Sequence, residues 1–235
     1  MIQFTVSRGR DRVDDVTAVQ VSDSSIRPSS FIKSLGVTLD SKLTFDQHVS
    51  SVCRACYFHI RALKHVRDSL PDDVARTVAC SIVGSRLDYC NALYAGMFKS
   101  NVARLQRVLN ALARTVLRRG KYEHTTPALR ELHWLPIEHR ITYKLVTLAH
   151  RIKSTGLPVY LRELLTDYEP ARPLRSSSRN LLCQYKTKLV VASRGFRHSA
   201  AAARNNLPDN IRCINSLNNF KLRLKTHLFK LSFTA

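Results

Sequence analysis

The sequence predicts a mostly α-helical protein that begins with a short β-hairpin and ends in a smaller, basic α+β region. Three observations lead to this fold class. Segments rich in β-branched residues are confined to the first forty residues. From about residue 44 onward, apolar residues recur every three or four positions, which is typical of amphipathic helices. The first of these helices are joined by short connections, which favours an antiparallel bundle.

The first forty residues contain the segments that resemble strands. Residues 2–6 (IQFTV) and 16–21 (VTAVQV) are short and rich in β-branched side chains. Residues 26–30 (IRPSS) carry a turn signal. Residues 31–40 (FIKSLGVTLD) predict another short strand with a glycine inside it.

Three amphipathic helices are predicted next. Thr44 with Gln47 fits a capping box for the first helix. Ser69 can cap the second helix, which we expect to run to about residue 94; Ser100 begins the third helix and Gly120 ends it. The inward stripe of the first helix comprises Phe45, Val49, Val52, Cys56, Ile60 and Leu63, and that of the third comprises Val102, Leu105, Leu109, Leu112 and Val116.

The second half of the chain predicts further helices around a corner. A short helix starts at Thr126-Pro127, and a longer one starts at Pro136 and ends at Gly156. The sequence LHWLPIEHR (132–140) therefore lies at a helix–helix corner, where Trp134 is expected to pack against the core. Residues 181–191 suggest a hairpin. Ser216 caps a last helix with Leu217, Phe220, Leu224, Leu228 and Leu231 on one side and Lys221, Arg223, Lys225 and Lys230 on the other.

The charge balance indicates a polyanionic partner. Lysine and arginine outnumber aspartate and glutamate by 38 to 17, and residues 171–235 hold thirteen basic residues but a single acid, Asp209. Nucleic acid is the first partner that such an excess favours; a solvated basic surface is the alternative. The sequence shows neither a membrane-spanning stretch nor a signal peptide, so we expect an intracellular protein of the nucleus or cytoplasm with no membrane partner.

Candidate metal and catalytic groups are weak. Cys53, Cys56 and His59 share a helical spacing that could begin a zinc site, but no second pair of ligands follows, so we interpret the six cysteines as buried thiols. His133 and His139 flank the corner without a converging nucleophile, and a capping or solvent-facing role is expected of them. We predict no cofactor and no metal.

Paired aspartates could hold Mg²⁺ for phosphoryl transfer, but these pairs have simpler roles. Asp72 and Asp73 stand where the positive end of a helix dipole favours acidic residues, and Asp14 and Asp15 lie in a polar turn. The stronger signal is a series of basic residues on the third helix and just beyond it, which could bind phosphates without reading sequence. This series comprises Arg104, Arg107, Arg114, Arg118, Arg119 and Lys121.

Six motifs together resemble the C-terminal part of LINE-type (non-LTR) retrotransposon reverse transcriptases. They are FIKSLGVTLDSKLTFDQHV, VGSRLDYCNALYAG, LQRVLNALART, HTTPALRELHWLPIEHRITYK, RPLRSSSRNLL and SLNNFKLRLKTHLF, in this order. The resemblance covers nearly the whole chain from about Phe31. It implies that Phe31, Leu35 and Gly36 look like a strand that holds the primer end, and that the following helices resemble the thumb.

The resemblance also suggests domain boundaries. Residues 1–42 resemble the end of the palm, 43–122 a helical thumb-like bundle and 123–166 a helical extension; 167–180 are interpreted as a linker and 181–235 as a basic C-terminal region. The family's aromatic-x-Asp-Asp centre is absent, so we expect no polymerase activity of this chain. Where the family has a Leu-Trp pair near its end, this chain has Ala203 and Arg204.

The resulting hypothesis is a non-catalytic fragment that binds template–primer nucleic acid, as RNA or an RNA–DNA duplex, through basic helix faces. A catalytic palm domain from a longer copy is a second expected partner. The alternative is a helical protein-interaction module, an orphaned interface to a missing palm, with an incidental basic surface. The candidate nucleic-acid-binding residues are Phe31, Leu35, Gly36, Arg104, Arg107, Arg114, Arg118, Arg119, Lys121, Lys221, Arg223 and Lys225.

Overall fold

A computed structural model of the chain describes residues 19–27, 29–169 and 180–233. It is mostly helical, with two short antiparallel hairpins ahead of the helices, so the predicted fold class is confirmed. Residues 2–6, the turn with Asp14 and Asp15, and most of the predicted linker lie outside the described residues.

The N-terminal strands form two hairpins. Strand β1 (Val19–Val21) pairs with β2 (Ser24–Ile26), and β3 (Phe31–Ser34) pairs with β4 (Val37–Asp40). The prediction of a single strand over 31–40 was therefore wrong. Leu35 and Gly36 both have positive φ, at 46° and 80°, as a two-residue turn between antiparallel strands requires.

Helix α1 (Asp46–Val66) follows β4 closely, and an aspartate rather than the predicted capping box organises its start. The N-cap residue is Phe45, without a side-chain cap, in place of Thr44. The Asp40 carboxylate accepts hydrogen bonds from the backbone N–H groups of Thr44 (2.9 Å) and Phe45 (2.8 Å). This carboxylate fixes the turn from the hairpin into α1.

The second predicted helix is divided into shorter pieces. A 3₁₀ turn (Arg67–Ser69) leads to α2 (Asp72–Ala79), and a π-helical turn (Cys80–Gly84) joins α2 to α3 (Ser85–Asp88). Cys90 then adopts a left-handed conformation before a 3₁₀ turn over Asn91–Tyr94. Pro71, not Ser69, occupies the N-cap of α2.

Helix α4 (Lys99–Val116) packs along α1 and runs in the same direction. Helices α2 and α3 lead from the end of α1 back toward its start, where α4 begins. Asn101 near the start of α4 donates to the carbonyl oxygen of Thr44 and the carboxylate of Asp46. At the other end, Arg67 donates to the carbonyl oxygen of Val116. Helices α5 (Thr125–Glu131) and α6 (Ile137–Thr155) follow, and α6 packs on α4.

The C-terminal region is helical. It contains α8 (Val190–Arg194), α9 (Phe196–Asn205), α10 (Asp209–Arg212) and α11 (Leu217–Phe233); the short α7 (Val159–Arg162) precedes it. The hairpin predicted over 181–191 was wrong: among the described residues this segment makes one isolated β-bridge, Leu182 with Asp167, and its end belongs to α8.

Two apolar clusters hold the structure together. The larger one draws side chains from β4 through α9, and its fully buried members include Val49, Leu105 and Leu112. The smaller one lies between α6 and α11 and is centred on Phe220 and Leu224. Leu231, predicted to face inward, is 59% exposed. None of the described helices is long and apolar enough to span a bilayer.

Candidate nucleic-acid interface

The basic residues of α4 share one face of the helix. Arg104, Arg107 and Arg114 are spaced by three and seven residues, so their side chains project within about 80° of one another over roughly 15 Å. Arg118, Arg119 and Lys121 follow just past the end of α4. Helix α4 itself contains no acidic residue. This sequence-predicted series is therefore brought together on one side of the molecule.

Helix α1 provides the adjoining ridge. Ser50, Cys53, Tyr57 and Lys64 recur on the side of α1 that borders these arginines. Arg104 donates to the Ser50 hydroxyl at 2.6 Å, and Lys64 and Arg114 line the same groove of about 420 Å³. We call the surface formed by Lys64, Arg104, Arg107, Arg114, Arg118, Arg119 and Lys121 the α1–α4 basic face.

The two helices are strongly unbalanced in charge. Their 39 residues contain seven lysines and arginines (Arg54, Arg61, Lys64, Lys99, Arg104, Arg107 and Arg114) but one acid, Asp46, which leaves six net positive charges. Asp46 is itself bound by Asn101. The arginines also act on their neighbours: burial raises the pKa of the Cys53 thiol, and nearby Arg104 and Arg107 oppose that rise.

Several of the basic side chains also hold the protein together. Arg104 donates to the Asn101 side chain at 3.1 Å, and Arg114 donates twice to the carbonyl oxygen of Glu123. Arg118 contacts the carboxylates of Asp68 and Asp72 at 3.2 and 3.3 Å, and Arg119 pairs with Glu131 at 2.6 Å. Arg107, Lys64 and Lys121 are exposed. The partly neutralised end of α4 therefore presents fewer open charges than its sequence suggests.

The remaining predicted residues lie elsewhere. Phe31, Leu35 and Gly36 are exposed on the β3–β4 hairpin, beside the start of α1. The Tyr89 hydroxyl anchors this hairpin by donating to the carbonyl oxygen of Leu35 at 2.6 Å. Since α1 has 21 residues, the hairpin and the groove at Lys64 stand about 30 Å apart. Arg223 and Lys225 are exposed and Lys221 half-buried on α11, away from this face.

The carboxylates that could have suggested a metal site have other partners. Asp72 contacts Arg67 at 2.5 Å, and this hydrogen bond is the main reason that its pKa is lowered. Asp73 begins α2 beside it. Within the described residues, no group of three or more His, Cys, Asp or Glu side chains could hold a metal ion, and Cys53, Cys56 and His59 form no such cluster.

The cysteines are all free thiols, as predicted, but they are not all buried. Cys56 is buried, whereas Cys80 and Cys213 are exposed. Helical phase alone did not predict the exposure of Cys80, which lies where α2 meets the π-helical turn.

The corner at 132–136 closes α5 with a Schellman motif. His133 has φ 54° at the C′ position, and its backbone N–H donates to the carbonyl oxygen of Arg130. The N–H of Trp134 donates to the carbonyl oxygen of Leu129 at 2.9 Å. His133 and His139 both face α11: the His133 ring lies 5.3 Å from that of Phe229, and His139 Nδ1 lies 2.7 Å from the Ser232 hydroxyl.

Comparison with known proteins gives one informative match. The chain is 28% identical over 150 residues, 63% of its length, to the probable RNA-directed DNA polymerase from transposon BS of Drosophila melanogaster. The matched stretch is 16% of that protein's length. No family model and no solved structure matches the chain. The similarity supports a reverse-transcriptase-related origin of the chain.

Proposed function

We propose that the chain is a non-catalytic C-terminal part of a LINE-type, non-LTR retrotransposon reverse transcriptase, and that it binds template–primer nucleic acid without sequence specificity. The observation that carries this proposal is the α1–α4 basic face, where seven cationic side chains are paired with only three carboxylates, those of Asp68, Asp72 and Glu131. Similarity to a transposon polymerase favours nucleic acid as the polyanion that binds this face. The domain boundaries given above remain part of the proposal.

The chemistry of such binding is simple. Guanidinium groups donate two hydrogen bonds to a phosphate, and the spacing along α4 presents them in a row. A row of roughly 15 Å spans several phosphates of one strand, since these recur about every 3.4 Å of helix axis. Backbone contacts of this kind carry no base information, so RNA and RNA–DNA duplexes are the expected ligands.

The sharpest test uses the exposed cations, because Arg104 and Arg118 also hold neighbouring elements in place. The double variant Lys64→Gln/Arg107→Gln removes two charges from the face. Fluorescence anisotropy with a labelled RNA–DNA duplex, at several salt concentrations, should show weaker binding and a log–log salt slope reduced by roughly 1.8.

The matched control is Arg130→Gln/Arg151→Gln, which removes two exposed arginines from α5 and α6. It should leave the slope nearly unchanged, because these side chains lie off the face. Absence of duplex binding by the full chain at low salt contradicts the proposal. Equal slopes for both double variants would mean that the charge of the whole protein, not this face, attracts the duplex.

A protein-interaction module is the second candidate, and the β3–β4 hairpin favours it. Phe31 and Ile32 are 47% and 39% exposed, and Leu35 at the turn is 88% exposed. Such apolar side chains suit an interface with a catalytic palm domain supplied by a longer copy. In sedimentation velocity, a monomer that binds duplex favours the first function. Self-association that Leu35→Ser abolishes favours the second.

A further inference from the structure

A cavity of about 470 Å³ lies beside the Trp134 corner, apart from the α1–α4 basic face. Its walls come from the π-helical turn, the end of α3 with the turn after it, the corner itself, α6 and α11. The corner contributes apolar side chains, among them Trp134 and Leu135, and Tyr143 adds a second aromatic ring. This size falls in the range of cavities that hold small organic ligands.

The cavity is cationic. Arg140, Lys144 and Lys225 line it against one acid, Asp88, which leaves two net positive charges. Arg140 and Asp88 form an ion pair at 2.9 Å, and the Arg140 Nε also donates to the carbonyl oxygen of Leu135. Lys144 and Lys225 are both exposed. An anionic group of a ligand is therefore attracted to these two lysines.

A buried amide supplies the polar feature of the wall. Asn91 is 3% exposed, and its Nδ2 donates to the Asp88 carboxylate at 3.3 Å. Its Oδ1 is buried without a hydrogen-bond partner among the described residues. Flipping the Asn91 amide would not give Oδ1 a partner, because the flip would place this oxygen beside the Asp88 carboxylate. Because this oxygen is enclosed, a ligand donor could reach it only after a small movement of the wall, and such a donor would offset the cost of leaving the acceptor unpaired.

The π-helical turn makes the cavity unusual in a second respect. Cys80 and Gly84, at the two ends of this turn, both line it. Single π turns within α-helices are rare because they lower the stability of the helix slightly. Those that persist occur frequently at functional sites. Here the turn lies opposite the Trp134 corner.

We propose that this cavity binds one nucleotide unit, a nucleobase with its phosphate. The base would occupy the apolar part and donate a ring or exocyclic N–H to Asn91 Oδ1, while the phosphate would contact Lys144 and Lys225. A nucleotide combines these three features, since it has a planar base, N–H donors on that base and an anionic phosphate. The unit is either a free nucleotide or an unpaired nucleotide of a strand, and the proposal stands independently of duplex binding at the α1–α4 basic face.

Trp134 is the only tryptophan of the chain, so its fluorescence reports on the cavity directly. The full chain is titrated with each of the four ribonucleoside 5′-monophosphates, and binding is confirmed by calorimetry. At least one nucleotide should bind and change the Trp134 emission. Inorganic phosphate alone and the matching nucleoside alone should each bind about tenfold more weakly, since each makes part of the contacts.

Variants separate this site from the basic face. Lys144→Gln/Lys225→Gln should weaken nucleotide binding about tenfold or more. Lys64→Gln/Arg107→Gln should leave it unchanged, as should Arg130→Gln/Arg151→Gln. Cys80, exposed at the cavity wall, gives a second readout, because bound nucleotide should slow its alkylation.

The two sources are distinguished with a 5′-phosphorylated single-stranded hexanucleotide. Tighter binding of the strand than of the mononucleotide, with the same loss in Lys144→Gln/Lys225→Gln, assigns the site to an unpaired strand end; the reverse order assigns it to a free nucleotide. The proposal is overturned if no mononucleotide or strand affects Trp134 or Cys80 at millimolar concentration. It is also overturned if the lysine variant binds as tightly as the original protein.

Discussion

The Nε of Arg67 lies 2.8 Å from the carbonyl oxygen of Val116, a residue 49 positions further along the chain. This hydrogen bond joins the end of α1 to the last turn of α4. Arg67 is 3% exposed, and it also donates to the carbonyl oxygen of Leu70 and to Asp72. The end of α4, where Arg118 and Arg119 follow, is thereby fixed in position.

We expect Arg67→Ala to lower the free energy of unfolding by about 3 kcal/mol, because two carbonyl oxygens lose a charged donor in a buried setting. Urea denaturation followed by circular dichroism measures this change. Arg61→Ala, which removes an exposed arginine near the end of α1, should cost less than about 0.5 kcal/mol. Equal losses for the two variants would show that the buried contacts contribute no stability.

The carboxylate of Asp40 should make stability depend on pH. Burial opposes its ionisation, but hydrogen bonds from the backbone of Thr44, Phe45 and Lys42 outweigh burial, so its pKa is lowered. A lowered folded-state pKa contributes stability above the unfolded value of about 3.9, and this contribution disappears as the pH falls through the folded value.

Asp40→Asn should therefore cost about 1 kcal/mol near pH 7, and the difference from the original protein should shrink below about pH 4. Urea unfolding at pH 7, 5, 4 and 3 tests this. Asp23→Asn, an exposed aspartate in the β1–β2 turn, is the control and should show almost no difference at pH 7. A gap between Asp40→Asn and the original protein that widens in acid would contradict the assignment.

Two glycines should respond in opposite ways to alanine. Gly84 has helical φ and ψ (−56°, −46°), and a Cβ there would meet no atom closer than 3.8 Å. Gly84→Ala should raise stability by about 0.5–1 kcal/mol. Gly96 has φ +68°, and a Cβ there would lie 2.8 Å from Cγ of Arg194.

Gly96→Ala should accordingly destabilise the protein by more than about 1 kcal/mol. Thermal unfolding of both variants checks the pair. A lower melting temperature for Gly84→Ala would mean that the π-helical turn needs the freedom of glycine.

The thiols should react in the order of their exposure. Burial raises the pKa of Cys56 to about 11, so it is protonated at pH 8 as well as hidden. Cys80 and Cys213 are exposed. Two thiols should therefore react quickly with a disulfide reagent, and Cys56 should react only in urea, because the thiolate is the reactive form. Cys80→Ser should remove one fast equivalent; rapid reaction of Cys56 would contradict its burial.

Helical periodicity predicted the elements well, and tertiary contacts explain the exceptions. The stripe on α1 is confirmed, since Phe45, Val49 and Cys56 are buried. The break after α3 could not be predicted from local pattern, because it accompanies the bond between Tyr89 and Leu35, residues 54 apart. Arg67 was missed because a buried arginine has the same sequence signal as an exposed one.

The candidate interface could be predicted only in part, because its residues come from more than one element. Helical phase suffices to put Arg104, Arg107 and Arg114 on one face of α4. Only the fold shows that Lys64 of α1 adjoins them, and that Arg118 is partly neutralised by Asp68 and Asp72. The nucleotide-sized cavity combines residues from five separate segments, and no local pattern could reveal it.

Arg204 lies in the interior of the protein. It is 2% exposed, and its guanidinium donates to the carbonyl oxygen of Asn180 at 2.6 Å. Burial lowers its pKa, with nearby Arg212 adding to the effect. The arginine thus fills a core position and satisfies a backbone acceptor.

Arg204→Met keeps most of the apolar volume and should cost about 1–2 kcal/mol through the lost hydrogen bond, whereas Arg204→Ala also leaves a cavity and should cost about 3 kcal/mol. Urea unfolding of both variants separates the two contributions, with the exposed Arg223→Ala as the control. Burying a guanidinium has a desolvation cost that its hydrogen bonds must offset. Equal stability of Arg204→Met and the original protein would therefore show that apolar packing alone is what position 204 requires.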